Sequence, residues 1–168
     1  MIKMNKFILF LIFGLIIFSP KIIMQAYCLD LIPTTSEKIA NVIYKDKKKY
    51  KFIYFFTSWC YECNETLDKL HKMQLDRNLS QKYNFYIISL DDDNKKLLKF
   101  SNTKIKDKSK IFYFDKFAEI EKFLIKTNIN YDNAVPFYCI LNENNTIIKE
   151  GYFELEQLSK IIKNQNKK

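Results

Sequence analysis

The run Tyr50-Lys51-Phe52-Ile53-Tyr54-Phe55-Phe56-Thr57, followed at once by Ser58-Trp59-Cys60-Tyr61-Glu62-Cys63, most narrows what this chain can fold into. A stretch so dense in aromatics reads as a strand buried on both faces, which needs covering layers above and below. From Cys60 to about Leu75 a helical pattern takes over, with Leu67, Leu70 and Met73 facing inward. Two thiols therefore stand at a strand-to-helix turn. A helix N-terminus offers unpaired N–H groups and the positive end of its dipole, and both favour a thiolate. Cys60 is the expected nucleophile, and Cys63, one turn inside, the expected resolving thiol. The spacing alone also suits a metal site.

With Trp59 before the first cysteine, and Ala134-Val135-Pro136 before the strand-like run Phe137–Leu141, the chain resembles the thioredoxin superfamily. The likeness spans about Thr35 to Lys163. It implies an α/β thioredoxin-like fold, a central mixed sheet flanked by helices, with Pro136 as a cis-proline packed against the disulfide. It further implies that Trp59 forms a planar apolar wall, that Val135 offers its backbone to an extended substrate segment, and that Pro136 keeps a backbone donor away from the sulfurs. A strand-helix insert before the cis-Pro strand is similar to the exported or membrane-anchored TlpA/ResA-like thiol-disulfide oxidoreductases. One position departs from the superfamily: Tyr54 stands where thioredoxin has a buried Asp that assists proton transfer. Tyr54 reads as a core aromatic, leaving Glu62 or a water to move the proton.

Of 168 residues 48% are hydrophobic, enough for one core, while only 2 Gly and 3 Pro are present, so turns must use Asn and Asp. The N-terminal stretch differs in kind. Lys3 and Lys6 precede the uncharged run Phe7–Phe18, and Ser19-Pro20-Lys21 and Met24-Gln25-Ala26 follow. That order reads as a secretory signal, and the run is shorter than the roughly 20 residues a membrane span needs. An uncleaved anchor continuing through Ile22–Tyr27 is the alternative. Either reading puts the rest of the chain outside the cytoplasm, periplasmic or on the extracytoplasmic face of the membrane. Cys28 follows Tyr27 where a lipobox needs a small residue, so it reads as a free thiol in a tail. The organisation expected is residues 1–26 as signal peptide or anchor, 35–163 as the thioredoxin-like domain, and 164–168 as a disordered tail.

The net charge is +9, with lysines spread along the chain and Arg77 the single arginine. No basic-aromatic nucleic-acid motif is present, so a solvated basic surface and no nucleic-acid partner are expected. A monomer is expected as well.

In order, the pattern predicts a helix over Thr35–Tyr44, with Thr34 and Glu37 at capping-box spacing. The strand Tyr50–Thr57 and helix Cys60–Leu75 follow, then a strand Tyr83–Leu90 ended by Asp91-Asp92-Asp93. A short helix Asn94–Ser101, a charged loop Lys104–Lys110, a strand Ile111–Phe114 and a helix Asp115–Thr127 come next. Phe137–Leu141 and Thr146–Lys149 pair as a hairpin around Asn142–Asn145, and a helix Glu154–Lys163 closes the domain, with Leu155, Leu158, Ile161 and Ile162 inward.

Exchange chemistry needs a thiolate and a second thiol close enough to release the mixed disulfide. The Glu62 carboxylate between the cysteines disfavours a thiolate, which makes the couple more reducing. A reductant or isomerase role acting on exported protein thiols or disulfides is therefore expected. The resemblance puts apocytochrome c cysteines among the possible substrates. No flavin or nucleotide motif occurs, so no cofactor is expected and electrons should come from a membrane-embedded thiol carrier. Two rival readings stand beside this one: a copper or zinc module in which His71 joins Cys60 and Cys63, and a structural domain whose disulfide does not turn over. Cys139 reads as a buried small thiol, with a third redox cysteine or a pairing with Cys28 as the alternatives.

Overall fold

The computed structural model describes residues 30–104, 109–158 and 160–161, so the readings at residues 1–26, at Cys28 and at 164–168 lie outside the described residues. The elements are β1 (Asp30–Thr34), α1 (Ser36–Lys45), β2 (Tyr50–Phe56), α2 (Tyr61–Leu75), α3 (Arg77–Lys82), β3 (Tyr83–Ser89), α4 (Asn94–Lys104), β4 (Lys110–Phe114), α5 (Phe117–Thr127), β5 (Phe137–Asn142) and β6 (Ile147–Gly151). They form one six-stranded mixed sheet in the order β1-β4-β3-β2-β5-β6. The first four strands run parallel, whereas β5 pairs antiparallel with β2 and β6 antiparallel with β5. This is the α/β architecture the pattern predicts, with β4 and α5 as the insert.

All seven residues of β2 are buried. Side chains alternate along a strand, so Tyr50, Phe52, Tyr54 and Phe56 enter one core with Leu67 and Leu70 of α2, Leu97 and Phe100 of α4, and Phe153, Leu155 and Leu158. Ile53 and Phe55 enter the other core with Ile39 and Ile43 of α1 and Ile120 and Phe123 of α5. The sheet thus separates two apolar layers, and both cysteines of the pair lie in the first.

Several predicted details change. Pro33 masks β1 in the sequence, yet β1 is an edge strand with a single neighbour, where a missing N–H is tolerated. The predicted pairing of Thr34 with Glu37 is replaced by Thr35 as N-cap, its hydroxyl accepting from Lys38 N at 3.3 Å. Glu119 of α5 does the rest: its Oε2 accepts from Ser36 N and from Ser36 Oγ, both at 2.8 Å. Helix α3 has no buried residue and no apolar stripe to betray it; Asp76 holds it by accepting from the N–H groups of Asn78 and Leu79. The closing helix begins as a 3-10 turn over Leu155–Gln157. Leu155 and Leu158 are buried there as expected.

The clamp between α5 and α1 has a pH signature. Lys122 first, then the Ser36 N–H and O–H, hold the Glu119 carboxyl at about 2, below its usual 4.5. A depressed folded-state value gives stability that is complete above about 4.5 and is lost as pH falls toward 2. Urea midpoints measured across that acid window should fall less steeply for Glu119→Gln than for the wild type. Parallel slopes would remove the clamp from the account of acid stability.

Candidate active site

Strand β2 ends at Phe56, and the chain turns within four residues to start α2. Cys60 N donates to Thr57 O at 3.2 Å, closing that turn. Cys60 is the N-cap of α2, with extended backbone angles, and its sulfur accepts from Cys63 N at 3.2 Å. The two sulfurs are joined as a disulfide, with 5.3 Å between the Cα atoms. Cys60 retains 8% exposure and Cys63 none, so a partner can reach only the first sulfur. Cys60, expected as the nucleophile, is thus the outer sulfur, and Cys63, expected as the resolving thiol, the inner one.

The remaining predicted site residues surround Cys60 unequally. The Val135–Pro136 peptide is cis, and Val135 O lies 3.9 Å from Cys60 Sγ. Tyr131 anchors the loop that leads there, packing against Phe55 and Phe137. Trp59 and Tyr61 flank Cys60 in the chain and are 71% and 76% exposed, a large apolar surface for residues of this type. Glu62 is exposed in the first turn of α2 and lines, with Pro136, Tyr138, Tyr152 and Glu154, an open groove of about 240 Å³.

Tyr54 takes no acid's place. Its ring stacks between Phe56 and Tyr138, and its hydroxyl donates to Cys63 O at 3.1 Å. Burial pushes the phenol well above its usual range, so it stays protonated and holds the first turn of α2 to β2. His71 lies farther along α2, its Nδ1 3.4 Å from Ser109 Oγ. Among the described residues, no three His, Cys, Asp or Glu side chains converge on a point that could hold a metal ion. Cys139 is a free thiol with no exposure, in the core layer on the other side of the sheet, and burial pushes its thiol strongly upward.

Sequence reasoning missed Asp91. Its run of aspartates reads only as the end of a strand, yet the Asp91 carboxylate is 6% exposed and receives Ser58 N at 3.1 and 2.9 Å on its two oxygens. Ser58 Oγ donates to Oδ1 at 2.6 Å and Ser89 Oγ to Oδ2 at 2.7 Å. The available signal was positional: in α/β sheets, sites gather at the carboxyl ends of parallel strands, where β3 ends beside β2.

Two outcomes follow from these contacts. Tyr54→Phe should lower stability by about 1 kcal/mol in urea unfolding while leaving the rate of Cys60 alkylation at the wild-type value. In the reduced, folded protein, alkylation followed by peptide mass analysis should label Cys60 first and Cys139 only after denaturant is added. Rapid native labelling of Cys139 would contradict its burial.

No protein-family model matches the chain, and no curated protein matches its sequence. Solved structures do. The N-terminal domain of PilB from Neisseria gonorrhoeae superposes with a TM-score of 0.57 at 18% identity, covering 76% of this chain and 83% of that one. A thioredoxin-like protein from Aeropyrum pernix gives 0.53 at 16% identity, over 73% and 81% of the two chains. A Chlorobium tepidum protein assigned as the thiol:disulfide interchange protein DsbE gives 0.54 at 16% identity, over 70% and 80%. With the mixed sheet, the Cys60–Cys63 pair at the β2–α2 turn and the cis Val135–Pro136 bond beside it, the chain has the thioredoxin-like fold.

Proposed function

We propose that this chain is a thiol-disulfide oxidoreductase in which Cys60 attacks and Cys63 resolves. The observation that carries the reading is the placement of the pair: one sulfur is the partly accessible N-cap of α2 and accepts the Cys63 N–H, and the other is buried directly behind it. In the reduced protein the Cys60 thiolate attacks a substrate disulfide, one substrate sulfur leaves and takes a proton, and a Cys60–substrate disulfide forms. Cys63 then loses its proton and attacks Cys60 Sγ. The second substrate thiol departs, and two electrons have passed from the dithiol to the substrate.

The neighbouring residues support this scheme. In this reading an extended substrate segment would lie along Val135 O, 3.9 Å from Cys60 Sγ, and the exposed ring of Trp59, with Pro136 offering no N–H to compete for the sulfurs. Glu62 is the solvent-facing carboxylate in the first turn of α2, available to take the proton that leaves the site. Its negative charge near the pair opposes a thiolate and favours the reducing direction. The assignment of the Chlorobium tepidum neighbour as a thiol:disulfide interchange protein agrees with this chemistry. The basic and apolar N-terminal sequence supports an exported or membrane-anchored protein acting on exported protein thiols, recharged by a membrane-embedded thiol donor. Among the described residues no helix is long and apolar enough to cross a membrane.

The deciding experiment equilibrates the protein in defined thiol buffers and reads the oxidised fraction of the pair. A potential near or below thioredoxin's, about −270 mV, is expected for a reductant. A value near about −120 mV would reverse the direction of electron flow and leave the chemistry intact. Absence of any reversible two-electron couple would make the bond a structural one. In the same series, Cys63→Ser should trap a mixed disulfide on Cys60, and Cys60→Ser should trap none.

A further inference from the structure

The turn that carries Cys60 contains neither Gly nor Pro, and it begins where the β2–β3 ladder stops. The last bond of that ladder is Leu90 N to Phe56 O, at 2.8 Å. Beyond it, Ser58 has an N–H and a hydroxyl to satisfy at a partly buried position, and both donate to Asp91. The carboxylate is itself held by the Ser89 hydroxyl, which also accepts from Asp91 N at 3.1 Å. Hydrogen bonds to an ionised acceptor are short and strong, and a carboxylate with two oxygens can grip a backbone N–H and its own side chain together. We propose that Asp91 is a positioning residue for the redox pair: with Ser58 and Ser89 it fastens the Thr57–Cys60 turn to the end of β3, and so fixes Cys60 Sγ at the N-terminus of α2.

The inference rests on the exchange chemistry proposed above and adds a residue to it. Asp91 touches neither sulfur; it acts through Ser58, two positions before Cys60. The N-cap geometry of Cys60 requires its backbone to leave the turn extended, at φ −79 and ψ 114, with Sγ 3.2 Å from Cys63 N. When Ser58 is released, the turn gains freedom, the sulfur spends less time against that N–H, and the thiolate loses the support of the helix terminus. Because the grip depends on acceptor oxygens at the right place, an amide in the same place keeps part of it and a methyl group keeps none.

The test measures Cys60 alkylation in the reduced full chain as a function of pH, beside thermal melting, for the wild type, Asp91→Ala, Asp91→Asn and Ser58→Ala. Asp91→Ala is expected to slow alkylation at neutral pH about tenfold and to move the midpoint of the pH profile upward. Asp91→Asn should fall between that variant and the wild type. Wild-type rate and midpoint in a folded Asp91→Ala overturn the proposal. An Asp91→Asn as slow as Asp91→Ala overturns it too, because the acceptor oxygen that the amide keeps would then contribute nothing, and loss of the negative charge by itself would favour the thiolate and speed the reaction. If Asp91→Ala does not melt cooperatively, Ser58→Ala decides: a slower rate with an upward midpoint supports the positioning role, and a wild-type profile ends it. Alkylation needs no turnover, so a wild type lacking a reversible couple would remove the oxidoreductase reading without deciding this one.

Discussion

The arrangement of the chain around the Cys60–Cys63 disulfide depends on the burial of β2 on both faces. Seven consecutive buried residues need a hydrogen-bonded neighbour on each side and a helical layer above and below. The neighbours differ in direction, and that difference builds the site. Because β3 is parallel to β2, with Phe56 opposite Ser89, its carboxyl end arrives beside the Thr57–Cys60 turn and brings Asp91 with it. Because β5 is antiparallel, with Phe55 opposite Phe137, its amino end arrives at the same place from the other side and brings Val135 and Pro136. Three chain segments distant in sequence thus meet at one strand end through register alone.

Lys51 shows how firmly the strand is held. It is fully buried within an aromatic run, and an ammonium there requires acceptors. Its Nζ donates to Glu143 O at 3.2 Å and to Asn145 Oδ1 at 2.6 Å. Asn145 adopts a left-handed conformation at φ 63, which Asn tolerates better than most residues, and its amide nitrogen donates to Tyr44 O at 3.2 Å. One buried cation therefore ties β2 to the β5–β6 turn and to the end of α1. This ties the far end of the central strand, opposite the cysteines, into its surroundings.

What the sequence disclosed and what it hid divide along the same line. The aromatic run, the Cys60–Cys63 spacing, the helical stripe of Leu67 and Leu70 and the Val135-Pro136 pair are local signals, and each is read from neighbours along the chain. The Glu119 grip on Ser36 and the Asp91 grip on Ser58 bridge 83 and 33 positions, and neither carboxylate looks different from a solvated one in the sequence. Helix α3 escaped for another reason: with no buried residue, it leaves no hydrophobic period to detect. Phe117 and Ile125 are the reverse case, apolar residues on α5 that remain 65% and 81% exposed, so apolar residue type alone marks a wider face than the one that packs.

The two fully buried cysteines among the described residues, Cys63 and Cys139, lie in contrasting surroundings. Cys63 and Cys139 are equally inaccessible, yet Cys63 lies in the first turn of α2 behind a reachable partner sulfur, whereas Cys139 is surrounded by Ile53, Leu141 and the α1–α5 layer. Burial without a partner or a helix terminus raises the energy of a thiolate, and Cys139 feels only that effect, reinforced by the nearby Glu150 carboxylate. Strand alternation keeps the two apart. Along β5, Tyr138 points to the layer that holds the disulfide and Cys139 to the opposite one, so a shift of β5 by one residue would exchange them and bring a third sulfur into the disulfide's layer. The contacts that oppose the shift are aromatic: Phe137 against Phe55 and Tyr131 on one face, Tyr138 against Tyr54 and Phe153 on the other. The rings that bury the central strand are in this way the same groups that restrict the disulfide's layer to two sulfurs.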